Sequence, residues 1–166
     1  MKRVCLLVFV CLCCLPLCVS AQSRKRTIKS EPVTSSSIVR ADAVRVANHI
    51  KNLARFIYLL GGITKDIEAV ETAARKGQVS QATIDQTQQS KAKLSASFAN
   101  WRVAMDELEL SFKTKTYLQK YFSKVSGVGN LAATAEDQAR MGQFGLSGQT
   151  LLQLSNKLTD LLVEMP

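Results

Sequence analysis

Between Pro32 and Pro166 the chain contains no proline, so more than 130 residues lack the strongest helix breaker. Alanine, leucine, lysine, glutamine and glutamate, which favour helices, are frequent in this span. Apolar residues recur there at alternating steps of three and four residues, the spacing of one face of an α-helix. These features predict an all-α fold built from long helices, without sheet.

Three apolar stripes define the principal helices. The first stripe is Val39, Ala43, Val46, Ile50, Leu53, Ile57 and Leu60. The second is Leu94, Phe98, Trp101, Met105, Leu108 and Phe112. The third is Leu151, Leu154, Leu158, Leu161 and Met165. Stripes of this length, joined by short or glycine-containing connections, predict an elongated up-down bundle of about four helices.

Glycines and capping residues predict where the first two helices begin and end. Gly61-Gly62 is expected to interrupt or kink the first helix, and Lys76-Gly77 is typical of a helix C-terminus. Ser80 has the side chain of an N-cap and should start the long second helix. A break in that helix is expected near Ser111, since an unbroken helix to residue 125 would exceed the length of a small bundle.

The last two helices are predicted from weaker signals. Residues 130–141 form a short helix whose inner face is mostly alanine, which predicts close packing against its neighbours or marginal order. A loop punctuated by Gly142, Gly145 and Gly148 should follow. Ser147 is then the expected N-cap of the final helix.

The N-terminal segment predicts export. Lys2 and Arg3 precede an apolar run from Val4 to Val19, and Val19-Ser20-Ala21 offers the small residues of a signal-peptidase site. The run is shorter than the roughly 18–20 residues that a membrane-spanning helix requires. Residues 1–21 are therefore predicted to be a removed signal peptide rather than an anchor, and the protein is expected to be secreted and extracellular.

The rest of the exported chain divides into a tail and one domain. Residues 22–37 are basic and rich in serine, with too few apolar residues to order themselves, and are predicted to be a flexible tail. Residues 38–166 should form a single helical-bundle domain. The exported chain contains no thiol, because all five cysteines lie in the signal peptide: Cys5, Cys11, Cys13, Cys14 and Cys18.

Residues suited to catalysis or metal binding are scarce. His49 is the only histidine and lies on the flank of the first stripe, and without cysteine the ordinary zinc and copper sites are excluded. Eight clustered carboxylates are expected on solvated helix faces: Asp66, Glu68, Glu71, Asp106, Glu107, Glu109, Glu136 and Asp137. We therefore expect no enzyme activity, no metal and no other cofactor.

The candidate binding site is a basic segment containing two tyrosines at the end of the second helix. Residues 110–126 contain no acid, and spacings of three, four and seven residues would place Lys113, Tyr117, Lys120 and Lys124 on one helical face. Its members are Lys113, Lys115, Tyr117, Lys120, Tyr121 and Lys124. A phosphate, heparan-type or lipid-headgroup contact is one interpretation; the other is that cations simply complement the C-terminal dipole of the helix.

The tail adds a second basic element, Arg24-Lys25-Arg26. These residues are candidates for contact with an anionic partner, for proteolytic processing, or for a solvated tail with neither role. Removal of residues 1–21 lowers the net charge from +9 to +7, with 20 Lys and Arg against 13 Asp and Glu. Such a balance favours an acidic protein, a polyanionic surface or an anionic membrane as partner, rather than nucleic acid.

Two functions are compatible with these features. The favoured one is a secreted, non-catalytic helical protein that binds an extracellular protein such as a receptor, a matrix component or a surface protein. The alternative is an exchangeable lipid-binding or membrane-active protein whose amphipathic helices open onto an apolar surface. Self-association through the helix stripes, as a coiled coil, is a further hypothesis.

Overall fold

Five α-helices and one 3-10 helix account for nearly all of residues 35–166, the part of the chain that the computed structural model describes. The helices are α1 (Ser35–Arg75), α2 (Gln81–Thr114), a 3-10 helix (Thr116–Tyr121), α3 (Phe122–Val125), α4 (Val128–Arg140) and α5 (Phe144–Glu164). No strand occurs in this range, so the all-α prediction is confirmed for it. The predicted signal peptide and tail residues 22–34 lie outside the described residues. Helix α1 begins three residues before the predicted start of the bundle domain.

The long helices pack side by side around one apolar core. Helix α1 is flanked by α2 and α5, and α4 is flanked by the same two helices. Arg45 of α1 donates to the Ser111 hydroxyl of α2 at 2.9 Å, whereas Glu71 near the end of α1 pairs with Lys91 near the start of α2. Helices α1 and α2 therefore run antiparallel.

The predicted stripes supply most of the core. Nine of their members have no exposed surface: Val46, Leu53, Phe98, Met105, Phe112, Leu151, Leu154, Leu158 and Leu161. Trp101, although it belongs to the second stripe, is only partly buried. Ile50 and Ile57 of the first stripe are likewise partly buried, so the stripes identify much of the core, with these three residues at its edge.

Side-chain size sets how closely the helices approach one another. Helix α4 buries Ala132, Ala135 and Ala139, and it lies close to both α2 and α5. Between α1 and α2 stand the rings of Phe56 and Phe98, and these two helices approach each other less closely. The close packing expected of the alanine-rich helix is present, and the aromatic pair leaves an open groove between α1 and α2.

The predicted boundary between the first two helices is confirmed. Gly77 has φ +68°, a backbone conformation that glycine adopts without strain, and the Gln78 amide donates to the Ala73 carbonyl at 3.0 Å. The Ser80 hydroxyl accepts a hydrogen bond from the Thr83 amide at 3.3 Å, which is the N-cap interaction.

The predicted start of the last helix is wrong. Helix α5 already begins at Phe144, and Ser147 is buried within it, where its hydroxyl donates to the Gln143 carbonyl at 3.0 Å. Only Gly142, with φ +76°, forms the turn that ends α4. Gly148 instead lies inside α5, where a Cβ atom would come within 3.5 Å of the Leu60 side chain on α1. A Cβ atom at that distance would make an ordinary van der Waals contact, so the helix contact also leaves room for alanine.

The expected interruption at Gly61-Gly62 is absent, because α1 continues through both residues as one helix. The neighbouring Leu60 and Ile67 are buried and hold this part of α1 against the rest of the molecule. Tertiary packing therefore outweighs the low helix propensity of two glycines. Both are exposed, and a Cβ atom added to either would meet no atom within 4 Å.

Replacing Gly61 or Gly62 by alanine should raise the free energy of unfolding by about 0.5–1 kcal/mol for each residue, because alanine loses less backbone entropy in a helix. Chemical denaturation followed by circular dichroism would measure the change. Gly142→Ala is a matched control, since its surroundings are equally open but its φ is positive. That substitution should lower the free energy of unfolding by about 1 kcal/mol; a gain in stability there would contradict this account.

Candidate functional site

The predicted basic segment does not form one helical face. Helix α2 ends at Thr114, and Lys115 adopts an extended backbone with φ −82° and ψ 112°. The following residues wind into a 3-10 helix before α3 begins at Phe122. Lys113 and Lys124 consequently lie on different helices, and the prediction of a single face is wrong.

A buried carboxylate accounts for the break. Asp42 of α1 is 7% exposed and accepts hydrogen bonds from the Lys115 ammonium at 3.1 Å and from the Tyr117 hydroxyl at 3.0 Å. Arg45 also lies 3.4 Å from this carboxylate. A buried charge requires partners of this kind. Lys115 and Tyr117, both predicted to bind an anionic partner, therefore neutralise and satisfy Asp42.

The remaining residues of the segment are divided between internal contacts and solvent. Lys124 pairs with Glu164 at 2.7 Å, and this hydrogen bond raises the pKa of the Lys124 ammonium. Tyr121 is buried, and the Lys120 ammonium lies 4.8 Å from the centre of its ring. Within residues 35–166, no carboxylate lies within 4.0 Å of the Lys113 or Lys120 ammonium, so these two cations face solvent. Residues 24–26 lie outside the described range.

Two of the carboxylates expected on solvated surfaces are structural. Glu109 of α2 accepts hydrogen bonds from the Gly127 amide at 3.0 Å and the Gly129 amide at 3.1 Å, so it caps the start of α4. Glu136 of α4 is buried and pairs with Arg102 of α2 and with Arg140. Apart from Arg140, their partners lie 18 to 34 residues away in the sequence, which is why helix amphipathicity alone misplaces these acids.

Other kinds of site find no support in residues 35–166. Over this range, no group of three or more His, Cys, Asp or Glu residues is arranged to hold a metal ion. None of the helices described has the length and apolar character needed to cross a membrane.

A different surface, missed from the sequence, lies between α1 and α2. Its floor is formed by Phe56 and Leu59 of α1 with Trp101 of α2. Polar residues border it: Asn52, Arg55, Ser97 and Asn100. We call this surface the aromatic groove. It combines an apolar centre with a polar border, as the binding surfaces of proteins do.

The rings of the groove are held in place by the core. The Phe56 ring meets the buried Phe98 ring edge to face, with centroids 5.3 Å apart and planes at 77°. Trp101 lies 6.3 Å from Phe56 and 6.5 Å from the imidazole of His49. Leu59 is 58% exposed at the groove, a high value for a large aliphatic side chain. Trp101 is also the chain's single tryptophan, so its fluorescence reports on this surface.

His49 extends the aromatic groove towards the start of α1. Partial burial lowers the pKa of its imidazole, and the nearby Arg45 guanidinium lowers the same pKa further. The neutral ring is therefore favoured in the folded protein, which agrees with its position beside Trp101. This contact identifies His49 as part of the aromatic cluster, whereas the sequence predicted only a helix-flank residue.

Acidification should destabilise the protein through His49. Above the usual histidine pKa of about 6.5 the ring is neutral in both the folded and the unfolded chain. As the pH falls from there through the lowered pKa of the folded state, the unfolded chain binds the proton more readily, so the free energy of unfolding decreases. Urea denaturation between pH 7.5 and 5.5 would show the decrease. His49→Gln should flatten that part of the profile, and an unchanged slope in the variant would contradict the assignment.

Charge is distributed unevenly around the aromatic groove. Residues 43–65 of α1 and 86–105 of α2, which supply its two walls, together carry seven Lys and Arg and no Asp or Glu. The other residues of 35–166 carry nine Lys and Arg against twelve Asp and Glu. These two acid-free stretches are visible in the sequence. The sequence alone does not show that the fold places them side by side.

Comparison with known proteins gives no relative from which a function could be transferred: no family model matches the chain, and neither curated proteins nor solved structures match it.

Proposed function

We propose that this protein is a secreted, non-catalytic up-down helical bundle that acts by binding an extracellular protein partner through the aromatic groove. The observation that carries the proposal is the composition of that surface. Trp101, Phe56 and Leu59 are accessible at its centre, and Arg55 stands at its border. Tryptophan, other aromatic residues and arginine are the residue types enriched where proteins bind one another.

The rigidity of the groove supports the same proposal. Its floor rests on Phe98, which has no exposed surface, and its two walls belong to helices rather than to loops. A surface already held in its binding shape loses little conformational entropy on association. The groove thus suits recognition of a partner, while it contains no arrangement of acid, base and nucleophile for chemistry.

Lipid binding by opened helices is the competing hypothesis. Opening would expose stripe residues that now form the core, among them Leu154 and Leu158, which have no exposed surface. Each fully buried leucine contributes about 1.5–3 kcal/mol through burial, so exposing a stripe is costly unless the lipid contacts replace that burial. The protein-binding proposal needs no such rearrangement.

A peptide-display experiment would test the proposal. A tryptophan-free random peptide library would be selected against the purified protein, and binding of the selected peptides would be followed by Trp101 fluorescence. Leu59→Ser should weaken binding about tenfold or more, because it removes an apolar contact from the centre of the groove. Leu59 is mostly exposed, so the variant should remain folded.

Val163→Ser is the matched control for this experiment. Val163 is 80% exposed on α5 and lies outside the groove lining, so selected peptides should bind this variant as they bind the unmodified protein. Equal binding to all three proteins would refute the groove as the binding surface. Flotation of the protein with neutral or anionic vesicles, accompanied by a change in helicity, would instead establish the lipid alternative.

A further inference from the structure

Cations line both walls of the aromatic groove. Helical spacing continues its α1 wall from Arg55 back to Lys51, one turn away, and its α2 wall from Ser97 back to Lys93. Arg45 marks the end of the groove near His49. Four cations, of which Arg45 is paired with Asp42, therefore accompany a floor of aromatic and aliphatic side chains.

Internal pairing leaves most of this charge uncompensated. Lys91 is paired with Glu71, Arg102 with Glu136 and Asp106, and Arg45 with Asp42, so these three cations are satisfied within the fold. Within residues 35–166, no carboxylate lies within 4.0 Å of three other cations of the two walls: Lys51, Arg55 and Lys93. The nearest acids along α1 are Asp42 and Asp66, at the two ends of the acid-free stretch.

We infer that the partner segment which occupies the aromatic groove is an acidic amphipathic helix of another protein. This inference rests on the function proposed above and specifies its partner. Carboxylates of the segment would face Lys51, Arg55 and Lys93, while its apolar side chains would cover Trp101 and Leu59. Complementary charge selects partners and speeds association, whereas the apolar centre supplies most of the affinity.

A helix fits the groove better than an extended polyanion does. The acid-free part of α1 from Arg45 to Ile63 spans about 27 Å, which is the length of roughly five helical turns. An amphipathic helix presents apolar side chains every three or four residues and can fill a groove between two helices. A sulfated polysaccharide could meet the cations, but it has no apolar side chains with which to cover Trp101 and Leu59.

The selected peptides provide the test. Among peptides whose binding depends on Leu59, we expect a net negative charge, with apolar residues at helical spacing. Lys51→Glu/Arg55→Glu should reduce their affinity about tenfold or more. Raising the salt concentration from about 50 to about 500 mM should also weaken binding, because salt screens the charges. Both substituted residues are exposed helix positions, so circular dichroism should remain unchanged.

Lys113→Glu/Lys120→Glu is the matched charge reversal. These exposed cations belong to the basic segment first predicted as the site and lie outside the groove lining, so peptide affinity should be unaffected. In one outcome, the selected peptides depend on Leu59 and yet are neutral or basic. In a second, they depend on Leu59 but bind Lys51→Glu/Arg55→Glu with unchanged affinity. Either result would overturn the acidic partner while leaving the groove as a protein-binding surface. A third outcome would overturn both proposals. In it, no selected peptide depends on Leu59, and Lys51→Glu/Arg55→Glu loses binding to heparin or to anionic vesicles.

Discussion

Phe98→Ala should lower the free energy of unfolding by about 3–5 kcal/mol, the usual cost of removing a fully buried aromatic ring. Phe98 has no exposed surface and lies in the core between α1 and α2. Its loss removes the apolar contacts of the ring and leaves a cavity that the helices fill only in part. Urea denaturation followed by circular dichroism would measure the change in stability.

The same substitution should disturb the aromatic groove. Phe56 rests on the Phe98 ring at 5.3 Å, and Trp101 is the next ring in the cluster. The emission of Trp101 in the folded variant should therefore shift towards that of a more solvated indole. Tyr58→Ala is the control, because Tyr58 is an aromatic residue of α1 that is 83% exposed. Its replacement should change the free energy of unfolding by no more than about 0.5 kcal/mol. If Phe98→Ala lost no more stability than Tyr58→Ala, Phe98 would not be a core residue.

Periodicity predicted much of the fold because it depends on the chain's own geometry. The stripes from Val39 to Leu60 and from Leu151 to Met165 identify helix faces that are buried in the structure. Local hydrogen bonding made two boundaries predictable as well. Ser80 and Gly77 act on residues within three or four positions of themselves, and their roles follow from side-chain chemistry and backbone freedom.

Other boundaries were not predictable, because tertiary contacts decide them. Gly61-Gly62 disfavours helix locally, yet α1 continues because packing on both sides holds it. Helix length alone led us to expect a break near Ser111, and α2 ends three residues later at Thr114, where neither glycine nor proline marks the position. Lys115 and Tyr117 leave the helix to meet Asp42, more than 70 residues earlier in the chain. An interaction over that distance leaves no trace in a local pattern.

In the candidate site, too, local patterns predicted some features and tertiary contacts decided the others. The sequence predicted an anionic partner from residues 110–126, which form one acid-free run. In the structure some of these cations are paired with carboxylates of the same chain, as Lys124 is with Glu164. The acid-free runs at 43–65 and 86–105 are longer and carry less concentrated charge, so neither stands out alone. Their significance depends on the antiparallel packing of α1 and α2, which brings both beside Trp101.

Removing both cations that pair with Glu136 should destabilise the protein by about 3 kcal/mol, near the lower end of the range for breaking a buried ion pair. Glu136 is 2% exposed, with Arg102 at 3.4 Å and Arg140 in direct contact. In Arg102→Met/Arg140→Met its carboxylate would stay buried without a compensating charge. The lower end is expected because the Arg102 and Arg140 side chains are 49% and 61% exposed, so solvent already screens their interaction with Glu136. Urea denaturation at pH 7 would measure the loss.

Adding Glu136→Met to that variant distinguishes a buried charge from lost packing. Methionine is close to glutamate in size and favours helix, and it removes the carboxylate that the double variant leaves without a partner. The triple variant should therefore recover stability to within about 1 kcal/mol of the unmodified protein, since a buried ion pair and well-packed apolar residues are often equivalent in free energy. If the triple variant remained as unstable as the double one, the two arginines would contribute through their aliphatic contacts between α2 and α4. Recovery would instead show that Glu136 requires both cations only because the packing of α4 has removed it from water.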